Sequence, residues 1–463
     1  MIRWLAPKCP LLPGEKTLVE LWMRRLADEF GLNRLLKAEV LPPKIDALIP
    51  SYAGTEDDAR GLLQALGRRM GLAPGKVILE VYPSTFEPND FGLYERPEAE
   101  GEPAKIHVAS YRLADPVALA ASLAHALAHD ILLGRGLLAE VAEEREFVAD
   151  LLPLFFGLGL FMANVTVAGV ASYPTYHGYA DIERRGSFSS WQLGYALALF
   201  AHMRGESKPG WAHHLRPEAL AAFRKGMRFL KSSNDCLFHP ATIRTPLDVP
   251  SASEAARRLR EGSPTIRVLT LGQIQDHHLG GAEVLAEVER LLKHRSITFP
   301  YFAALTLSSM GTAAATTVPT LLRQFPNVDL ETKVCFLHAI GNSQGDPDEA
   351  IPALANLLED DRIELVFAAA TALGKFGRLA GPATRPLVLA LEKATLHCHY
   401  ELMDAIVEAL HAVTDDPIAA AEDYLAERNE ELRHLAVEAL RKAREAEPAP
   451  AQAIDAPETK PGL

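Results

Sequence analysis

The sequence predicts a mainly α chain in two parts: an α+β first half with a small sheet, then an α-solenoid. Three observations carry this. Ala/Leu-rich segments with recognisable helix caps run through the whole length. Two short strand-like segments, Val77 to Tyr82 and Lys105 to Ser110, stand together in the first half. From about residue 264 a helical pattern recurs. Aligned on Leu271, Leu307, Ile340, Leu373, Leu410 and Leu440, its spacings are 36, 33, 33, 37 and 30 residues. A period of that size made of helix pairs marks a solenoid, in which each pair stacks on the next.

Taken in order, the first 74 residues form an accessory helical region. Leu18, Leu21, Trp22, Leu26 and Phe30 make one helical stripe, and Thr55 caps a second helix that runs to about Met70. Residues 75–240 form the α+β domain. After its two strands, Asp115-Pro116 is a helix start, with Asp as N-cap and Pro at the first helical position. Val117 to Leu133 is almost wholly apolar, so that helix is buried on most faces, and Gly134 and Gly136 end it. A further helix runs from about Leu137 into the 150s. Leu151 to Ala180 holds no Asp, Glu, Lys or Arg and is long enough to span a bilayer. Pro153, Gly157, Gly159, Asn164 and Gly169 interrupt it, which favours a buried core helix over a membrane span. Gly194 to Phe200 begins another buried helix. Residues 241–263, rich in Pro and Ser, read as a linker leading into a short helix. Residues 264–445 are the solenoid, and 446–463, rich in Pro and Ala, a disordered tail.

Composition narrows the function classes. Of the net charge of −13, ten lie between Thr265 and Glu445, where 26 acidic side chains face 16 basic ones. An acidic surface disfavours nucleic acid, whose binding needs basic contacts to phosphate. Cys9, Cys236, Cys335 and Cys398 form no CxxC pair and read as reduced thiols of a cytoplasmic protein. Met1 to Gly14 lacks the apolar core of a signal peptide.

The chemistry concentrates in His125-Ala126-Leu127-Ala128-His129. Histidines at i and i+4 on a helix present two imidazoles on one face, within reach of one metal ion. Downstream, Glu146 and Asp150 are also spaced i, i+4. This constellation resembles the gluzincin-type zinc metallopeptidases, whose pattern is HExxH on one helix and ExxxD on a later one. The resemblance covers roughly residues 75 to 205. It implies a zincin-like fold and a zinc ion, with His125, His129 and Glu146 as ligands and Asp150 orienting a ligand histidine. It also implies a substrate cleft lined by an edge strand near Ile106 to Ser110. The departure is Ala126, where the family carries the glutamate that takes the proton from metal-bound water. Glu140, Glu143 and Glu144 could replace that base, but they read better as a solvated helix start. Tyr195, with Tyr173, Tyr176, His177 and Tyr179, could stabilise an oxyanion. Local packing is the preferred reading for all five. Equally, His125 and His129 could be core residues hydrogen-bonded to Glu146 and Asp150 without any metal. His397-Cys398-His399 is no metal motif, because adjacent residues on a helix diverge.

The second half resembles HEAT-like repeats, with Ala368-Ala369-Ala370-Thr371-Ala372-Leu373-Gly374 as its clearest stretch. That resemblance implies a protein or peptide partner on the concave face. The reading that follows is a metallopeptidase-related protein without its general base: an inactive zinc-binding or recognition module joined to a protein-binding array. Two alternatives stand beside it. One is an active zinc peptidase whose catalytic Glu is replaced at Ala126 by engineering. The other is a metal-free scaffold.

Overall fold

The computed structural model describes residues 7–83, 93–97, 99, 101–137, 142–165, 167–169, 182–184, 188–243, 248–426 and 430–446. Among these the chain is mainly helical, with small sheets. It divides into two units, Met1–Asp248 with Ser263–Thr265, and Val249–Gly262 with Ile266–Leu463.

In the first unit, α1 (Pro13–Phe30) starts on Pro at its first turn, and α2 (Leu32–Lys37) follows across Gly31. The buried face of α1 centres on Val19, Trp22, Met23 and Leu26, with Lys16 and Glu20 among them. Leu18 and Leu21, expected in the stripe, are only partly buried. α3 (Glu56–Met70) opens with a reciprocal cap. Thr55 Oγ1 accepts from the Asp58 amide at 3.2 Å, and Asp58 Oδ2 accepts from the Thr55 amide at 3.0 Å.

Strands β1 (Val77–Tyr82), β2 (Leu93–Glu95) and β3 (Ala104–Ala109) form one sheet in the order β1-β3-β2, with β1 parallel and β2 antiparallel to β3. The segment expected as the edge strand, Ile106 to Ser110, is therefore central over its first part: β2 pairs with Lys105–His107, while Val108 and Ala109 pair only with β1 among the described residues. Buried Ala104, Ile106 and Val108 pin its inner face, and β2 is the edge on the far side from β1.

α4 (Pro116–Gly134) begins as its sequence signals, with Asp115 Oδ1 accepting from the Ala118 amide at 3.0 Å. Among the described helices it alone is long and apolar enough to cross a membrane, and most of it is buried in the protein. α5 (Ala142–Phe155) and α6 (Gly159–Val165) replace the single helix expected beyond Leu151. The break falls at Gly157, whose φ is 84° and where a Cβ would sit 2.1 Å from Glu39 O. Only glycine meets both demands. Leu151–Val165 is buried within the unit, and residues 170–181 lie outside those described.

β4 (Val167–Gly169) and β5 (Ile182–Arg184) pair antiparallel. α7 (Ser190–Met203) and α8 (Pro217–Ser232) pack closely through small residues. A Cβ on Gly194 would lie 2.4 Å from Ala219 O, and one on Gly226 2.8 Å from Ala198 Cβ. β6 (Phe238–His239) and β7 (Thr242–Ile243) complete this unit.

The second unit is helical throughout its described residues: α9 (Ala252–Glu261), α10 (Pro264–Asp276), α11 (Ala282–Leu292), α12 (Thr298–Met310), α13 (Val318–Gln324), α14 (Leu330–Ser343), α15 (Pro347–Leu357), α16 (Ile363–Phe376), α17 (Thr384–Leu396), α18 (Tyr400–Val413), α19 (Pro417–Tyr424) and α20 (Glu430–Ala446). Helices pair as α11–α12, α13–α14, α15–α16 and α17–α18. The even members also pack on one another in sequence, α12 on α14, α14 on α16, α16 on α18. Leu271, Leu307, Ile340, Leu373, Leu410 and Leu440, the residues that set the sequence register, are all fully buried in one continuous core.

Candidate metal centre

His125 and His129 lie one turn apart on α4, and Glu146 and Asp150 one turn apart on α5, which packs against it. The helix pair brings all four side chains together. His125 Nε2 is 3.2 Å from His129 Nε2 and 3.0 Å from Glu146 Oε2, and His129 Nε2 is 3.3 Å from Glu146 Oε1. On its other nitrogen, His125 Nδ1 donates to Asp150 Oδ1 at 2.8 Å. Asp150 is itself fixed: buried on α5, it accepts the Phe188 amide on Oδ2 at 3.1 Å, beside the stacked Phe147–Phe188 rings. The orienting carboxylate therefore holds the imidazole with Nε2 turned to the other two donors.

These separations bear on metal fit. Donors about 2.0–2.1 Å from a tetrahedral zinc stand about 3.3 Å from one another. Here the two imidazole nitrogens are 3.2 Å apart, and each lies 3.0–3.3 Å from a different oxygen of Glu146; one donor atom from each residue falls within 4.8 Å of the others. They belong to two imidazoles and one carboxylate, a set suited to zinc. Glu146 is half exposed, so the group opens to solvent on one side.

Without an ion, a proton does the same electrostatic work. Burial pulls the His125 imidazole down, but its bonds to Asp150 and then Glu146 outweigh burial and push it up to about 10. Glu146 is held well below the usual carboxylate range by hydrogen bonds from His125 and His129, against burial. The metal-free cluster is thus a charged imidazolium between two carboxylates.

Ala126 is buried on α4 immediately after His125, and its methyl offers nothing to accept a proton. Glu140 lies outside the described residues, and the side chains of Glu143 and Glu144 are likewise outside them. Tyr173, Tyr176, His177 and Tyr179 also fall outside. Tyr195 is committed elsewhere. It is fully buried on α7, and its hydroxyl donates to Glu20 Oε1 at 2.6 Å. Glu20 also accepts the Leu237 amide on Oε2 at 2.8 Å and pairs with Lys16 Nζ at 2.9 Å.

Sequence reasoning missed two neighbours of the histidines. Tyr94 of β2 lays its ring over His129, centroids 6.3 Å apart, and donates to Asp130 Oδ1 at 3.1 Å. Asp130 in turn pairs with Lys76 at 3.0 Å. A charge inside an apolar helix, directly after His129, was a signal for Asp130. A three-residue edge strand gives none for Tyr94. Neither protein-family models nor curated protein sequences give a match to this chain.

Proposed function

We propose that the first unit is a zinc-holding domain on the plan of the gluzincin-type peptidases, silent as a peptidase because Ala126 leaves it without a general base. In this reading it serves recognition, joined to a HEAT-like array that takes a protein or peptide partner, in the cytoplasm. The observation that carries the reading is that His125, His129 and Glu146 bring one donor atom each within 4.8 Å of the others, the two Nε2 atoms 3.2 Å apart, with Asp150 behind His125. Zinc held there would supply Lewis-acid polarisation. The regular burial of Leu271 to Leu440 supports the repeat reading, and the four free thiols agree with a reducing compartment. A metal-free role rests on the same cluster, since an imidazolium between two carboxylates is satisfied without an ion.

Metal content separates the two. The full chain, loaded with zinc and desalted, should retain about one ion. The His125→Ala/His129→Ala double variant should retain almost none, read by elemental analysis. Equal zinc in both proteins would end the metal reading.

Binding should also release a proton. The His125 pKa is raised, so its ion pairs contribute stability fully below about 6.5, and that contribution is lost as pH rises through about 10. Zinc takes the neutral imidazole, so below pH 10 the ion competes with that proton. Apparent affinity should weaken about tenfold from pH 8 to pH 7. Calorimetry in buffers of different ionisation enthalpy should count about one proton released per zinc. Affinity that does not change between those pH values would mean that His125 is already neutral.

A further inference from the structure

A face of the second unit carries a repeated pattern that neither its core nor the metal centre uses. α14, α16 and α18 each begin with an exposed apolar residue followed by an exposed glutamate: Leu330-Glu331, Ile363-Glu364 and Tyr400-Glu401. Ile297 stands at the corresponding point before α12. These four apolar side chains are 37–71% exposed. One turn on, Phe367 continues the row in the open, Tyr301 and Val334 continue it partly buried against the core, and Asp404 takes that place on α18, with Glu408 a turn later. The register is physical as well as sequential. At the other end of the same helices, Asn342 Nδ2 of α14 donates to Ser308 O and Oγ of α12 at 3.2 and 2.6 Å, and Lys375 Nζ of α16 donates to Asn342 Oδ1.

These helices are the tighter of two rows. α12, α14, α16 and α18 touch extensively, whereas α11, α13, α15 and α17 touch sparsely. Small residues allow the close approach: a Cβ on Gly341 would lie 2.8 Å from Ala372 Cα, and one on Gly374 3.3 Å from Ala409 Cα. Helices joined in pairs, with one row more closely spaced, bend toward that row. The apolar stripe therefore lies on the helices of the more closely packed row.

Charge says what fits the stripe. Glu331, Glu364, Glu401, Asp404 and Glu408 have no salt-bridge partner among the described residues. Of the cations beside these carboxylates, Arg362 pairs with Asp360 at 2.7 Å and Lys333 lies over the Phe325 ring at 5.5 Å; exposed Arg295 stands at the far end of the stripe, by Ile297. Apolar side chains in register need apolar anchors, and unpaired carboxylates beside them need cations. We infer that this face binds a cationic polypeptide segment carrying apolar anchors. The inference rests on the proposed reading of this unit as a protein-binding array and specifies its partner. Four helices about 8–10 Å apart make a track of about 30 Å, which about 20 helical residues would cover. Anionic partners, nucleic acid and acidic membrane included, are repelled by the same five carboxylates.

The test uses the full chain, a fluorescent Leu/Lys amphipathic peptide of about 20 residues and its Leu/Glu counterpart. The Leu/Lys peptide should bind, less tightly as salt rises, and the Leu/Glu peptide should not. Ile363→Ser with Phe367→Ser should weaken binding about tenfold or more. Asp404→Asn with Glu408→Gln should weaken it several-fold. Asp348→Asn with Glu349→Gln, in α15 of the other row, changes net charge equally and should leave binding intact. Equal binding of the Leu/Glu peptide, unchanged binding by both stripe variants, or equal weakening by the α15 pair would each overturn the inference. Self-association of the wild-type chain that the Ile363/Phe367 variant abolishes would give the face to a second copy, overturning the partner while keeping the array as an interaction surface. Binding of neither peptide, with no self-association, would remove the array reading too.

Discussion

Ala126→Glu should raise zinc-dependent peptide hydrolysis by about 10²–10⁴-fold over the unmodified chain, the usual contribution of a positioned general base. Peptide hydrolysis at zinc needs the ion to polarise the carbonyl and a carboxylate to take a proton from water. Residues for the first task stand together in His125, His129 and Glu146. For the second, position 126 offers only a buried methyl one step along α4 from His125. A glutamate there adds the missing acceptor without touching a ligand. The assay is cleavage of a broad-specificity fluorogenic protein substrate, with and without chelator. Brisk, chelator-sensitive cleavage by the unmodified chain would sink the proposed function, because another residue would have to be the base. Zinc bound with no cleavage by either form would remove the peptidase plan and leave a zinc-holding domain.

Leu373→Asp should be the most damaging single change in the second unit. Leu373 has no exposed surface, and its helix α16 packs between α14 and α18. Losing the leucine leaves a cavity, typically about 2–5 kcal/mol, and burying a carboxylate without a partner adds several more. Domains are stable by only about 5–15 kcal/mol, so a variant losing most of the helical signal of this unit at ambient temperature is the expected outcome. Leu379→Asp supplies the contrast. That leucine is 64% exposed, and the change should cost no more than about 0.5 kcal/mol. Urea unfolding followed by far-ultraviolet circular dichroism reads both. Wild-type melting of Leu373→Asp would refute the packing described for α16.

What could be read in the sequence was what local chemistry dictates. Asp115-Pro116 and Thr55 announce helix starts because their side chains cap free amides, and both do so. Val77 to Tyr82 alternates as a strand and is one. The i, i+4 pairs His125/His129 and Glu146/Asp150 each had to share a helix face, and their meeting followed from two adjacent helices packing. What could not be read depended on distant partners. Within a uniformly apolar run no periodicity marks where a helix stops, and the break at Gly157 is imposed by Glu39, far away in sequence. The central place of β3 needed knowledge of β2, three residues with little pattern. Nothing local marks Lys16 and Glu20 as buried, and their burial is made tolerable by each other and by the distant Tyr195, Asp235, Thr265 and Leu237 amide.

That buried set also governs how the first unit could travel between proteins. Glu20 comes from the first helix, while the hydroxyl of Tyr195 and the amide of Leu237, which it satisfies, come from near the end of the unit. A gene fusion that began at the sheet would carry the histidines, Glu146 and Asp150 but would strand both donors in an apolar interior, at about 1–3 kcal/mol each. It would also strip α1 from α5, the helix that supplies Glu146 and Asp150. The histidine cluster is therefore not a portable motif. A fragment that starts at the sheet should be less stable than the whole unit.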